Sequence, residues 1–372
     1  MRTIRFVGSI VLILSLLNQE SFSQTTFEIK GNVKDVNGVS LPGAHVFLAN
    51  TTYGVITNAK GDFLLRIPKR GNYQLVVSFA GFENYAIALE VNDNISLKVT
   101  LRELTIDLGG FVVTAKKDRK WAERFQQFRQ VFLGTSRNAD FCKILNKEEI
   151  DFYYNEELNI LEAYATEPII VRNRALDYEI EFYLDEFQIL YNEGYSVIYG
   201  YPLFKEIFPN RVSKRRDRNR LKAYNGSVEH FFESLSGNRL NEEGYTLRKA
   251  FKNELDQIVV SADTIDIIHF PDSTTNVLQW RFSDYFVIDY KEREDANYTS
   301  FRYSINVVDS LINEVDFPMQ RSWIRIKEPQ NALQFDRTGY VLNPLSFAQY
   351  GYWGFERLAD WVPLNYKPEP IR

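Results

Sequence analysis

The sequence predicts a mainly β protein: a seven-stranded-type β-sandwich first, then an α+β region of antiparallel sheet with a few helices. Three observations lead there. Of 372 residues, 15% are Phe, Trp or Tyr, side chains that favour strands and large apolar contacts. Apolar and polar residues alternate over many short runs, the period of a half-buried strand. Gly, Asn, Asp and Pro punctuate those runs at short intervals, as in a small sandwich. The composition, 45% apolar and 25% charged, is that of a globular chain, and its length is ample for two or three domains. A formal charge of −5 gives no electrostatic case for nucleic-acid binding.

Residues 1–23 read as a secretory signal. Arg2 and Arg5 precede an apolar run at 6–17, shorter than the roughly 20 residues a membrane span needs. Ser21 and Ser23 are small residues placed for cleavage before Gln24. No cysteine follows the run to take a lipid, and no later run is long enough to span a membrane. The single cysteine, Cys142, can form no intrachain disulfide, which fits a bacterial periplasm better than an animal extracellular space. Its apolar surroundings at 139–145 predict a small buried hydrophobe, with no nearby His to activate it.

Residues 24–115 carry the sandwich. Phe27, Ile29, Gly31 and Val33 alternate with polar residues. Asn37-Gly38 is a turn that favours positive φ, and Pro42-Gly43 is another. Further strands follow at 44–48, 63–67, 73–79, 86–91 and 95–101. The spaced set Gly31, Val33, Asp35, Gly38, Leu41, Pro42, Gly43, Ala44 and Val46 continues with Gly54, Thr57, Gly61, Phe63, Pro68, Gly71, Tyr73, Ser78, Gly81 and Phe82. It resembles the carboxypeptidase regulatory-like domain, a family with a transthyretin-like sandwich fold. The resemblance implies no activity, because in carboxypeptidases the zinc chemistry belongs to a separate catalytic domain. Such domains also precede large outer-membrane TonB-dependent receptors, and residues 110–115 resemble the short β-branched box that follows them. The remaining chain is too short for that plug and barrel, so these residues are expected to form a last strand.

Residues 116–135 read as a charged linker and an amphipathic helix. Trp121, Phe125, Phe128 and Phe132 form one apolar stripe, expected to dock on the sandwich. Residues 136–372 form the α+β region. Strands are expected at 151–154, 158–165, 169–172, 178–190 and 195–201, then at 258–260, 265–270, 277–288, 298–308 and 322–326. Tyr178, Ile180, Phe182 and Leu184 share one face. A short helical stretch at 355–361 and an extended Pro-bearing tail close the chain. The run from Trp121 through Phe132, Gly134, Ala139, Cys142, Asn146, Glu167-Pro168, Asn219-Arg220, Tyr224, Ser227 and His230-Phe231 to Glu356-Arg357, Asp360, Pro363 and Tyr366 is similar to bacterial envelope proteins that carry the same N-terminal domain. That likeness covers nearly the whole mature chain and implies a compartment and no mechanism.

The most charged segment, 211–222, holds Arg211, Lys214, Arg215, Arg216, Arg218, Arg220 and Lys222 against Asp217. It leads through Tyr224 to Ser227, a candidate helix cap, and His230. Arg216, Arg220, Tyr224, Ser227 and His230 are the candidate binding residues, for an anionic glycan or lipid or an envelope protein. No residue set stands out as catalytic, as a metal site or as a cofactor site. His230 and Glu233, an i, i+3 pair on one helix face, would hold a metal only if His269, on an expected strand, supplied the third ligand.

These readings favour a non-enzymatic exported protein, a binding or scaffold module in the periplasm or at the outer membrane of a Gram-negative bacterium. The alternatives are a hydrolase of peptidase or glycosidase type around the Arg220-Tyr224-Ser227-His230 segment, and an accessory to an outer-membrane receptor. An outer-membrane barrel is a further reading, opposed by the helical segments and the Pro-bearing tail.

Overall fold

A computed structural model describes residues 26–104, 119–254, 258–265, 276–293, 295–298, 319–327, 329–330 and 332–368. The expected signal at 1–23, the box at 110–115, His269 and most of the expected strands at 265–270 and 298–308 lie outside these residues.

The N-terminal part is a seven-stranded sandwich. Strands β1 (Phe27–Asp35), β4 (Asp62–Ile67) and β7 (Ile95–Leu101) form one sheet with β1 in the centre, antiparallel to β4 and parallel to β7. Strands β2 (His45–Leu48), β3 (Gly54–Ile56), β5 (Gly71–Ser78) and β6 (Tyr85–Val91) form the other, in the order β3-β2-β5-β6. Phe63, Leu65 and Ile67 point inward from β4 while Leu64 and Arg66 point out, so the alternation read in the sequence is the burial pattern. They meet Ile29, Val33, Val46, Leu75, Val77 and Val99 in one core, each side chain contributing about 1.5–3 kcal/mol by leaving water. Gly31 is required by contact: a Cβ there would stand 2.3 Å from the Leu97 carbonyl oxygen and 2.8 Å from the Phe63 ring. Strand β3 was not foreseen, because three residues cannot display a period.

Helix α1 (Arg119–Leu133) carries the expected aromatic stripe. It packs on the sheet that follows it and not on the sandwich. Phe128 is fully buried and lies 4.6 Å from Phe187, Phe132 meets Phe182 edge-on at 4.9 Å, and the Trp121 indole donates to the Ile150 carbonyl at 2.9 Å. The correction has a simple origin: the stripe needs a broad apolar sheet face, and the next sheet offers one. That sheet is built from β8 (Cys142–Ile144), β9 (Ile150–Asn155), β10 (Ile160–Ala165), β11 (Ile169–Asn173), β12 (Tyr178–Leu190) and β13 (Tyr195–Glu206). In β12 a bulge at Asp185 shifts the phase. Ile180 and Phe182 face α1 before it, and Phe187 and Ile189 after it.

Helices α2 (Lys214–Tyr224), α3 (Val228–Ser236) and α4 (Leu240–Glu243) lead into a third sheet. Its strands are β14 (Tyr245–Lys252), β15 (Ile258–Thr264), β17 (Tyr285–Arg293), β18 (Met319–Ile326) and β20 (Phe347–Gly351), ordered β15-β14-β17-β18-β20, while β16 (Val277–Trp280) pairs with β19 (Leu333–Asp336). Phe231, Phe232 and Leu235 of α3 pack against Tyr245, Ile288, Ile324 and Phe335. The expected helix at 355–361 is instead a turn of helix, α5 (Tyr352–Phe355), followed by a 3-10 turn at Leu358–Asp360. The described strands form separate open sheets, not one closed barrel.

The sandwich rests on the second sheet. Phe47, Ala49 and Val76 bury against Tyr183, Tyr201 and Leu203. The backbones also pair: Asn50 N donates to Pro202 O at 2.7 Å and Phe204 N to Thr51 O at 2.9 Å. Residues near the other end of the chain complete the joint, since Leu364 N donates to Asn50 O at 2.7 Å and Thr52 N to the Asn365 side chain at 3.0 Å.

Candidate functional site

The corner between α2 and α3 gathers three of the five candidate residues. Gly226, at φ 83°, turns the chain, and Ser227 caps α3 by accepting from the His230 amide. The Gly226 amide donates to His230 Nδ1 at 3.1 Å, and the Tyr245 hydroxyl meets the same nitrogen at 2.9 Å. A backbone N–H can only donate, so Nδ1 is the acceptor and the ring proton sits on Nε2, 3.4 Å from Glu243. Burial, despite Glu243, lowers the His230 pKa below its ordinary value. The Tyr224 hydroxyl donates to Glu233 at 2.8 Å, and Lys367 stands 3.5 Å from that carboxylate. Burial first, then Glu233, pushes the Tyr224 phenol well up, so it stays protonated. This corner is a network in which His230 and Tyr224 bond to protein partners, two of them the carboxylates Glu233 and Glu243.

Arg216 and Arg220 face elsewhere. The Arg220 guanidinium lies 3.8 Å over the Tyr178 ring, donates to Leu176 O at 2.8 Å and pairs with Glu206 at 2.9 Å. Arg216 pairs with its neighbour Asp217 and donates to Phe208 O at 3.3 Å. Arg211, Lys214, Arg215, Arg218 and Lys222 are exposed, so the cationic surface belongs to residues other than the two singled out. Cys142 is buried, and burial pushes its thiol up to about 12, which keeps it a thiol. Among the described residues no three His, Cys, Asp or Glu side chains are placed to hold a metal ion.

The sequence reading missed a second feature. On the face of the second sheet that meets the sandwich, the half beyond the joint carries exposed Tyr164 and Tyr195 and half-buried Tyr153 and Tyr199, the last packed against the joint. The alternation at Tyr195, Tyr199 and Tyr201 was legible as a strand. Which of its faces stays open depends on where the sandwich docks, and no local pattern encodes that.

Residues 29–113 match the model of the CarboxypepD_reg-like domain, so the sandwich is a carboxypeptidase regulatory-like domain. An 82-residue stretch is 37% identical to the TonB-dependent receptor SusC of Bacteroides thetaiotaomicron, covering 22% of this chain and 8% of the receptor, so the chain spans a small fraction of that relative's length. Solved structures with local likeness include a cohesin–X-dockerin complex from Acetivibrio cellulolyticus (19% identity, 30% of this chain and 76% of that one, TM-score 0.21). Another is a DUF3823 family protein from Bacteroides ovatus (12% identity, 49% and 82%, TM-score 0.19). At such TM-scores neither bears on function. No helix among the described residues is long and apolar enough to cross a membrane.

Proposed function

We propose that the protein is exported and acts in the periplasm or at the outer membrane of a Gram-negative bacterium as a binding or scaffold module. The observation that carries this reading is the joint between the regulatory-like sandwich and the second sheet. A domain similar in sequence to part of a TonB-dependent receptor is joined to a larger unit through paired backbones and an apolar interface. The polar groups at the α2–α3 corner support the same reading, because His230 and Tyr224 already spend their hydrogen-bonding atoms on protein partners. The partner class is an envelope glycan or an envelope protein, with accessory work beside an outer-membrane receptor as the specific form. Cell fractionation with mass spectrometry of the N-terminus tests it. The expected result is envelope-fraction protein beginning at Gln24; a cytoplasmic protein retaining residues 1–23 overturns it.

A further inference from the structure

We propose that the open tyrosine face of the second sheet binds a neutral oligosaccharide chain. Side chains alternate between the faces of a strand, and the register puts Tyr153, Glu162, Gln188 and Val197 in one cross-strand row. Tyr164 on β10 and Tyr195 and Tyr199 on β13 flank that row on the same face. Tyr164 and Tyr195 are each 46% exposed, a large apolar surface to leave in water on a sheet whose opposite face packs against α1. Each ring offers a flat apolar body with a hydroxyl at its tip, the combination that covers the C–H face of a sugar and still bonds its rim.

The polar groups between the rings are already aligned. Gln188 Nε2 donates to Glu162 at 3.1 Å, and the Tyr164 hydroxyl donates to the other oxygen of that carboxylate at 2.8 Å. A carboxylate held by two donors keeps lone pairs for hydroxyl donors from a ligand. The charged side chains of this half-face, Asp151, Glu162 and Glu186, are all acidic. That composition repels a polyanion and suits an uncharged polyol, so the ligand class differs from the anionic one suggested by the 211–222 segment. From Tyr195 to Tyr199 the strand runs roughly 13 Å, which selects a chain of sugars over a single ring. The face ends where Tyr199 joins the buried sandwich interface, stacked edge-on at 5.5 Å against Tyr201, so the docked domain forms one wall.

This inference rests on the binding-module reading above and names its ligand class. The test is affinity electrophoresis of the full mature chain in gels holding amylopectin, xyloglucan, galactomannan or polygalacturonate. Retardation by at least one neutral polymer and none by polygalacturonate is expected. Replacing both exposed rings (Tyr164→Ala with Tyr195→Ala) is expected to weaken binding about tenfold, while the Tyr→Phe pair keeps part of it. Both pairs alter exposed side chains, and circular dichroism checks that each folds. Indifference to all neutral polymers, retardation by polygalacturonate alone, or a double Ala variant that binds like wild type overturns the site. So does loss of self-association, measured by sedimentation, in place of loss of glycan binding. An envelope-located protein that ignores neutral polymers overturns this inference and leaves the compartment standing.

Discussion

Arg220 illustrates how a residue that looks like a ligand-binding cation becomes part of the framework. Its guanidinium fork fits the Leu176 carbonyl, Glu206 and the Tyr178 ring at once. Arg220→Ala strands a carbonyl and a half-buried carboxylate, and is expected to destabilise the protein by about 2–4 kcal/mol in urea unfolding. Arg220→Lys should recover little, because an ammonium cannot reproduce the planar fork. Equal stability of all three proteins would mean that the contacts are incidental. Asp360 makes a second prediction. Burial raises its pKa to about 6, against the Ser136 and Asn138 hydrogen bonds that lower it. Between the unfolded value near 3.8 and about 6, the folded carboxyl therefore keeps its proton while the unfolded one has lost it. The folded state binds more protons in that window, so this group's contribution falls as pH rises through it, by at most about 3 kcal/mol. Asp360→Asn retains the acceptor for Ser136 and Asn138 and cannot ionise. Its stability relative to wild type should therefore grow between acid and neutral pH, and an unchanged difference would sink the assignment.

Among the elements, α1 and α3 show what the sequence makes legible and what it hides. The stripe Trp121, Phe125, Phe128 and Phe132 announces a helix, and Gly226-Ser227 announces the break and cap before α3, because both signals are local. The surface that receives α1 is set by the order of strands in the second sheet, a non-local fact, and so the sandwich was the wrong expectation. The bulge at Asp185 is hidden for the same reason: it is a slip between partners β12 and β13. The inward turning of Arg220 and His230 depends on Glu206, Tyr178 and Tyr245, residues brought near only by the finished fold. Phe128→Ala empties a fully buried site among Phe132, Phe152 and Phe187. It should lower the unfolding free energy by about 3–5 kcal/mol. Ser227→Ala removes one cap bond and should lower it by only about 1 kcal/mol. A reversed order of these two losses would refute the packing described for α1.

For the whole molecule, the joint between sandwich and second sheet decides whether the chain unfolds as one body. Leu203 is 5% exposed between Phe47 and Val76, and a Cβ on Gly54 would lie only 3.2 Å from it. Leu203→Asp buries a charge in that contact, so calorimetry should show one wild-type transition splitting into two as the sandwich melts independently. A single transition in the variant would mean that other contacts hold the two together. The ion pairs at the edge of the joint weaken in acid. Glu181, although burial opposes it, is held below its ordinary pKa by His45 and Lys205. Their support is present above that ordinary value and is lost as the carboxylate takes up its proton.

The hydrogen bonds between Thr52 and Asn365 join groups 313 residues apart in sequence. The loop at 50–53 therefore leans on a residue from the far end of the chain, so a chain cut before Asn365 should be nicked in that loop by limited proteolysis sooner than the full one.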